Sequence, residues 1–379
     1  MELQDHSLNP GLYIHIPFCK AKCPYCSFYS ITDLNLKKRF LFALNAEMPF
    51  YRASFPLFDS LYIGGGTPSV LNPAEFERLF RSIRDHFSFT HDTEITVEIN
   101  PADQDANMLF FLRNLGVNRL NIGVQSFDDT ILTFLGRRHS AWEAKETLAL
   151  ASRAGFAHLG LDLIYGVPGQ DTSSWMAELQ YAKDLPVDHL SCYQLTLERN
   201  TPLGDRFRNG EFSLPQEQAQ LEFFKKTSAF LRKAGFRHYE VSNFARGTDA
   251  MARHNQKYWR HIPYLGLGPA AHSFNGRKRW WNHRSLEAYL NDLDKRILPV
   301  EEEELLQPEQ LGLETLFLGF RTSEGVDIDA FRLKFKRDLL KEKAVMLKHL
   351  QQEGLIVIEN GYIRPTLNGM ALADQLALI

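Results

Sequence analysis

Three cysteines, Cys19, Cys23 and Cys26, stand in the run Ile16-Pro-Phe-Cys-Lys-Ala-Lys-Cys-Pro-Tyr-Cys26, a C-x3-C-x2-C spacing. Three thiolates this close can hold three corners of a cubane iron–sulfur cluster, which normally takes four cysteine ligands. With three, one iron is left open to bind a substrate or cofactor, and an electron carrier becomes a catalyst. Other chemistries use similar spacings. A C-x2-C pair also marks structural zinc, which wants four tetrahedral ligands, and His15 is at hand as a fourth. A disulfide framework suits the chain poorly, because four cysteines are spread over 379 residues and no signal peptide precedes them. The fourth, Cys192, reads as an inert buried thiol. As a cluster ligand it would close the open iron.

Further residues of unusual type follow at intervals. Gly64-Gly65-Gly66-Thr67-Pro68 carries consecutive glycines, which let backbone approach a ligand and adopt positive φ. It lacks the lysine of a phosphate-binding P-loop. Glu98, in Val97-Glu-Ile-Asn-Pro101, is a carboxylate in an otherwise apolar run and needs an ion-pair partner or a ligand. Gln125 lies in Gly123-Val-Gln-Ser-Phe127, Arg137 in Leu135-Gly-Arg-Arg-His139, and Asp162 in Leu161-Asp-Leu-Ile-Tyr-Gly166. A fixed guanidinium suits a carboxylate, and an acidic residue suits hydroxyls. Each has an ordinary structural use alone; in order on successive units they point to one ligand.

The elements that must position these residues alternate. Strand-like runs at 12–17, 60–64, 93–100, 119–125, 158–164 and 189–197 are separated by amphipathic runs at 37–51, 73–86, 104–115, 141–154 and 175–183. Asn72-Pro73 and Asp128 read as helix starts, Gly116 and Gly155 as helix stops. Repeated βα units imply a parallel sheet, and six are too few for a closed eight-stranded barrel. The pattern alone does not exclude an open doubly wound sheet. In a barrel or in such a sheet, ligands sit at the carboxyl ends of the strands, where the residues above fall.

From about residue 203 the pattern changes: a helical run at 216–233, then Tyr239-Glu-Val-Ser-Asn-Phe244 and a polar, aromatic segment. The acidic run 301–304, between Pro299 and Pro308, reads as a boundary. Helical runs beyond it and a hairpin at 355–366, with Asn360-Gly361 at its turn, suggest a small winged-helix-like domain. The expected division is 1–202 for the barrel, 203–300 for an extension and 301–379 for the winged-helix-like domain. Net charge is −3, hydrophobic content 44% and charged content 23%, with no basic footprint for nucleic acid. No apolar run is long enough to span a bilayer. The start, residues 1–10, is polar and short and reads as no targeting segment. Free cysteines and a reducible cluster fit the cytoplasm.

The cysteine loop resembles that of the radical S-adenosylmethionine (SAM) superfamily. The resemblance implies an α/β fold with a partial (β/α)6 barrel, a 4Fe–4S cluster held by Cys19, Cys23 and Cys26, and SAM chelated at the open iron. In that superfamily one electron passed to the sulfonium gives a 5′-deoxyadenosyl radical; the cofactor carries the chemistry and the protein positions it. Over nearly the whole chain the sequence is similar to the coproporphyrinogen III dehydrogenase, or HemN-like, group. The matches are Tyr13, the three cysteines, Gly65-Gly66-Thr67, Glu98, Gln125, Arg137, Asp162 and Thr196 on the sixth strand. In that group these positions surround SAM, and Tyr25 contacts it through its backbone. Two departures stand out. The dehydrogenase has a further cysteine where Phe28 stands here, and a longer segment ahead of the loop than the eighteen residues before Cys19.

A second match is to the HemW heme-chaperone branch. It rests on His254-Asn-Gln-Lys-Tyr-Trp259, an H-N-x-x-Y-W motif, with Tyr239-Glu-Val-Ser-Asn243 and Leu265-Gly-Leu-Gly268 plus His272. It implies binding of heme and its delivery to heme-accepting apoproteins such as cytochromes, without coproporphyrinogen oxidase activity. A histidine can ligate heme iron, and Tyr258 and Trp259 offer flat surface. His254 could equally hydrogen-bond in a polar loop. Arg253, Lys257, Arg260, Arg277, Lys278 and Arg279 could pair with propionates or form a solvated face. Spacing does not choose among His254, His261 and His272 as ligand. The alternative function is the oxygen-independent oxidase itself, converting propionates to vinyl groups. A radical methyltransferase or heme-degrading relative is disfavoured by the His254 motif. Peripheral membrane association and a homodimer are left open.

Overall fold

The computed structural model describes residues 9–376, so most of the polar start lies outside the described residues. Six parallel strands pair in chain order: β1 (Gly11–Ile16), β2 (Leu57–Gly65), β3 (Ser88–Ile99), β4 (Arg119–Gln125), β5 (His158–Tyr165) and β6 (His189–Gln194). Between them run α1 (Lys37–Glu47), α2 (Pro73–His86), α3 (Ala106–Asn114), α4 (Asp129–Phe134), α5 (Ala141–Ala154) and α6 (Thr172–Ala182). Local chemistry sets the helix ends. Asn72 and Glu75 close a capping box on α2, Ser140 and Glu143 one on α5, and Gly155 ends α5 with φ 77°.

Strand alternation divides the sheet into two faces. Leu120, Ile122 and Val124 of β4, like Leu12, Ile14 and Ile16 of β1, are fully buried in the main core with Phe40, Leu44 and Phe76 of the helices. The intervening residues, Asn121, Gly123 and Gln125, are half-buried and face the barrel lumen.

The sheet continues at both sides. After α7 (Pro202–Arg208) and α8 (Glu217–Lys233), short strands β7 (Arg237–His238) and β8 (Asn243–Ala245) add antiparallel beyond β6. After α9 (Arg253–Trp259), β9 (Tyr264–Leu267) pairs parallel with β1. β10 (His272–Phe274), β11 (Lys278–Asn282) and, past α10 (Leu286–Asp294), β12 (Val300–Leu305) follow antiparallel. The twelve strands run from β12 to β7 as an open partial barrel.

The acidic run read as a boundary is therefore the edge strand β12. Its charge is matched by β11: Lys278 pairs with Glu303, and Arg279 with Glu304 at 2.7 Å. A charged edge of this kind discourages further strand pairing. A sequence division at residue 301 cuts through this strand, and we place the boundary after it.

Beyond β12, α11 (Pro308–Gly319), β13 (Val326–Asp327), α12 (Ile328–Phe335), α13 (Leu339–Glu342), α14 (Ala344–Gln352), β14 (Ile356–Glu359) and β15 (Tyr362–Pro365) form the winged-helix-like unit, followed by α15 (Leu367–Ala371) and α16 (Ala373–Leu376). Its small sheet, ordered β13-β15-β14, packs its own core of Phe320, Phe331, Leu347 and Ile363. Asn360 (φ 51°) and Gly361 (φ 79°) make the hairpin turn expected of Asn-Gly.

Helix α9 closes the end of the barrel where the strands begin. Glu94 of β3 accepts hydrogen bonds from the backbone N–H of Arg253 (3.1 Å) and His254 (3.0 Å) at the helix start. Lys257 reaches Asp59 of β2 at 2.7 Å, with both side chains almost fully buried. Removing one partner of such a pair leaves an uncompensated buried charge. Lys257→Met should cost about 3–5 kcal/mol in urea unfolding, with Asp59→Asn added to Lys257→Met restoring much of it. Equal stability of wild type and Lys257→Met would show that the pair does not anchor α9.

Candidate functional site

The parallel register of β1 and β2 sets Tyr13 beside Tyr62, His15 beside Gly64 and Ile16 beside Gly65. Past the strand ends the pairing continues: Gly66 N donates to Ile16 O (2.8 Å) and Thr67 N to Phe18 O (2.8 Å). The glycine turn thus lies directly along the cysteine loop. A Cβ at Gly66 would stand 2.6 Å from the Phe18 carbonyl oxygen, and one at Gly64 2.8 Å from the Glu98 carboxyl carbon. Gly65 has φ 108°. This turn needs glycine for close approach and not merely for tightness.

The cysteine loop is tightly turned: Cys26 N donates to Cys23 O at 3.1 Å, and Cys19 N to Ile31 O at 2.9 Å. Burial pushes the Cys26 thiol up, a backbone hydrogen bond at Phe28 opposes it, and the Cys23 and Cys19 thiols add to the rise. Two donors favour sulfur anions: Thr67 Oγ1 donates to Cys19 Sγ at 3.3 Å, and Arg137 Nη1 to Cys23 Sγ at 3.5 Å. Such hydrogen bonds tune a metal–thiolate centre. Among the described residues no three His, Cys, Asp or Glu side chains gather closely enough to hold one metal ion. A cubane cluster instead spreads its thiolates over separate irons. His15 is committed elsewhere, with Nδ1 bonded to Tyr13 OH at 3.1 Å and Nε2 to Tyr29 O at 2.9 Å. That corrects its candidacy as a zinc ligand.

Arg137 ties the loop to the fourth strand. Its Nη2 donates to Gly123 O at 2.6 Å and its Nη1 also reaches Tyr25 OH at 3.5 Å. Pro24 packs on Gly136, where a Cβ would stand 2.5 Å from its ring. Gln125 takes φ 72° where the β4–β5 register shifts, which turns its side chain towards Arg137 over the bare Gly123.

Glu98 accepts from Tyr62 OH (2.6 Å) and from Gly65 N (3.2 Å), and burial pushes its carboxyl up to about 7. Asp162 accepts from Asn121 Nδ2 (2.8 Å) and is pushed by burial up to about 6, while its Oδ1 is buried without a hydrogen-bond partner. Tyr193 is 40% exposed, yet desolvation raises its phenol, with Asp162 the next cause, so it lines a lumen and not the outer surface. The structure brings Tyr13, Tyr25, Gly65, Gly66, Thr67, Glu98, Gln125, Arg137 and Asp162 around one space at the barrel mouth. Thr196 is placed differently: β6 ends at Gln194, and Thr196 is exposed in the loop beyond it. Tyr62, Asn121 and Gly123 were not singled out from sequence. Their signal was alternation: each lies two residues before a glycine, or before Gln125, on the lumen face.

His254 does not join this group. It is 0% exposed, its Nδ1 bonds Ser60 Oγ at 3.1 Å, and its Nε2 bonds Tyr258 OH at 2.8 Å. Burial, then Lys257, lowers it to about 3, so the ring is neutral. The H-N-x-x-Y-W motif forms the barrel floor, opposite the cysteine loop. Here His254 could meet iron only by giving up its bond to Ser60 or its bond to Tyr258. Five of the six nearby basic residues are likewise engaged: Arg253 with Asp92, Lys257 with Asp59, Arg260 with Glu324, Lys278 with Glu303, and Arg279 with Glu304 and Glu314, while Arg277 is exposed and enters no ion pair among the described residues. These five form structural ion pairs and not a ready propionate site.

The radical SAM superfamily profile matches residues 13–182, and the HemN C-terminal domain profile matches residues 306–372. The chain is 36% identical over 324 residues to the heme chaperone HemW of Mycobacterium tuberculosis, covering 84% of this chain and 83% of that protein. The chain belongs to the radical SAM HemW/HemN family. It is also 33% identical over 393 residues to the mitochondrial radical S-adenosyl methionine domain-containing protein 1 of Bos taurus, covering 98% and 87%. The solved coproporphyrinogen III oxidase (HemN) of Escherichia coli superposes with a TM-score of 0.85 at 26% identity, covering 99% of this chain and 91% of that one. The fold is thus α/β, of radical SAM type, with a HemN-type C-terminal domain. The family implies a 4Fe–4S cluster and SAM. The residues at the mouth fit both: three loop thiols with donors aimed at two of them, a glycine cradle, and an unpartnered Asp162 oxygen. No helix among the described residues is long and apolar enough to cross a membrane.

Glu98 gives a pH-dependent test. Its unfolded form loses its proton near 4.5 and its folded form near 7. Between those values the folded chain holds more protons, so this group lowers stability as pH rises through the window. Glu98→Gln should flatten the fall in unfolding free energy between about pH 5 and pH 7.5. Glu47 and Glu240, also raised by burial to about 7, leave a residual slope. An unchanged slope in urea titrations at the two pH values would contradict the assignment.

Proposed function

We propose that this chain is a radical SAM-type heme chaperone. It holds a 4Fe–4S cluster through Cys19, Cys23 and Cys26, binds SAM at the barrel mouth, and passes heme to acceptor apoproteins such as cytochromes. The observation that carries this reading is the 36% identity to a protein named as a heme chaperone over most of both chains. The mouth geometry supports the cofactor assignments. The glycine turn and Glu98 suit a cationic amino group, Arg137 and Gln125 a carboxylate, and Asp162 the hydroxyls of a ribose. Tyr13 and Tyr25 wall the space. The bound group would supply one-electron reductive chemistry at the mouth. The chain's own part is to hold the three thiols, aim Thr67 and Arg137 at two of them, and keep His15 and Tyr13 paired beneath.

The second reading is coproporphyrinogen III oxidase, favoured by the superposition over 99% of this chain. Against it stands Phe28, 67% exposed, at the place where that group resembles a further cysteine. The cytoplasmic setting, the acceptor proteins, peripheral membrane association and a homodimer belong to this proposal and need separate tests.

Anaerobic protein with its cluster reconstituted, given SAM, a reductant and coproporphyrinogen III, should yield no decarboxylated product by mass spectrometry. In parallel, heme titration should show saturable binding by its Soret absorbance. Conversion to a vinyl product would replace the chaperone reading with the oxidase.

A further inference from the structure

His272 is the histidine placed to meet a metal on the inner face of the large sheet. Tyr13 faces the lumen, where it meets Tyr62 and His15. Its neighbour on β9 is Gly266, and Gly11 is paired with Tyr264. Residues paired across strands share a face, and that face alternates along each strand. Phe274 of β10 pairs with Tyr264, so Phe274 and His272 stand on the lumen side. Trp281 of β11 pairs with His272 and shares that side. The next residue back, Trp280, points the other way and stacks on Tyr51 in the core.

The winged-helix-like unit covers only part of this face. Leu311 of α11 packs with Phe274 and Tyr264, and Glu314 meets His261 at 3.2 Å and Arg279 at 3.0 Å. His272 lies beyond that cover and is exposed. Its carbonyl abuts Gly266, so it sits level with Tyr13 and about two strand spacings away, roughly 10 Å. The other histidines around the lumen are bonded or buried. His15 and His254 have both ring nitrogens hydrogen-bonded, and His261 lies between Thr315 and Glu314. His189 bonds Tyr239 through Nε2 and keeps an unpartnered Nδ1, but it is 2% exposed and closed to a macrocycle. His272 instead stacks on Trp281, with ring centroids 5.5 Å apart and planes at 26°. Three residues past Trp281, exposed Arg284 donates to Ser27 O of the cysteine loop at 3.1 Å and enters no ion pair among the described residues.

Resting on the heme-binding reading above, we infer that His272, and not His254, ligates heme iron, with Trp281 bracing its ring and Arg284 pairing with a propionate. Neutral imidazole is the ligating form, and partial burial with Arg279 nearby keeps His272 below its ordinary value. An axial imidazole stands roughly perpendicular to the macrocycle. Trp281, nearly parallel to the imidazole, therefore acts as a positioning residue and does not lie flat against heme. Iron held here would sit at the rim of the lumen, between solvent and the cysteine loop. Cargo that must be handed on needs such an accessible place, which the barrel floor does not offer.

The test is heme titration of the full chain, followed by Soret absorbance and by the iron–histidine stretch of the ferrous complex in resonance Raman spectra. His272→Gly should weaken binding by about tenfold or more and remove that stretch. Trp281→Ala should shift or broaden the stretch, and Trp281→Phe should recover it. His349→Ala, on exposed α14, should match wild type. If wild type binds heme and His272→Gly binds it with the same affinity and spectrum, the ligand assignment is overturned and the chaperone reading stands. If wild type itself binds no heme, the chaperone reading fails, and this inference with it.

Discussion

Two backbone hydrogen bonds, Gly66 N to Ile16 O and Thr67 N to Phe18 O, carry the β1–β2 pairing past the end of the strands. The cysteine loop and the glycine turn therefore hold each other's geometry. No side chain fits between them, since a Cβ at Gly66 would stand 2.6 Å from a carbonyl oxygen. On the other side Pro24 packs against Gly136, and Arg137 bridges Cys23 and the Gly123 carbonyl. Held from both sides, the loop can present three thiols without a fourth ligand. The residues that flank the space, Glu98 and Asp162, inherit their positions from the same strand register.

The inner face is divided by level. At the floor, α9 is fastened by Glu94, Ser60 and Asp59, all from the beginning or middle of strands. At the mouth, hydrogen-bonding capacity remains: Asp162 Oδ1 lacks a partner, Tyr193 is accessible and His272 is exposed. Burying an unpaired polar group is costly, so polar atoms left open at a rim are those a ligand can satisfy. In the H-N-x-x-Y-W segment, His254, Lys257 and Tyr258 spend their polar groups on the protein itself. These residues explain how the barrel is closed below better than how a ligand is held above.

Much of this was legible in the sequence. The six parallel strands, the helix starts at Asn72 and Asp128 and the Asn360-Gly361 hairpin follow from local rules and are found in the structure, with the sixth strand ending at Gln194, three residues short of the run read from sequence. The cysteine spacing and the glycine run carry their chemistry in residue type. What escaped depends on partners far along the chain. The run 301–304 is a strand only because Lys278 and Arg279 lie opposite, and four acidic residues show no hydrophobic alternation. His254 reads like a ligand because its bonding partners, Ser60 and Glu94, come from strands about two hundred and one hundred and sixty residues earlier. Arg253 and Lys257 read like a basic patch until Asp92 and Asp59 are placed beside them. The pairing of β9 with β1, which brings His272 to the mouth, is likewise invisible to local pattern.

The central claim is that Cys19, Cys23 and Cys26 hold a cluster with one iron left open to SAM. Electron paramagnetic resonance of the anaerobically reconstituted, reduced protein, with and without SAM, tests it most directly. The account predicts a 4Fe–4S signal that changes on adding SAM and is lost when any one of the three cysteines becomes serine. A signal indifferent to SAM, or one that disappears in Cys192→Ser, would mean that the cluster is closed and the mouth is not a SAM site.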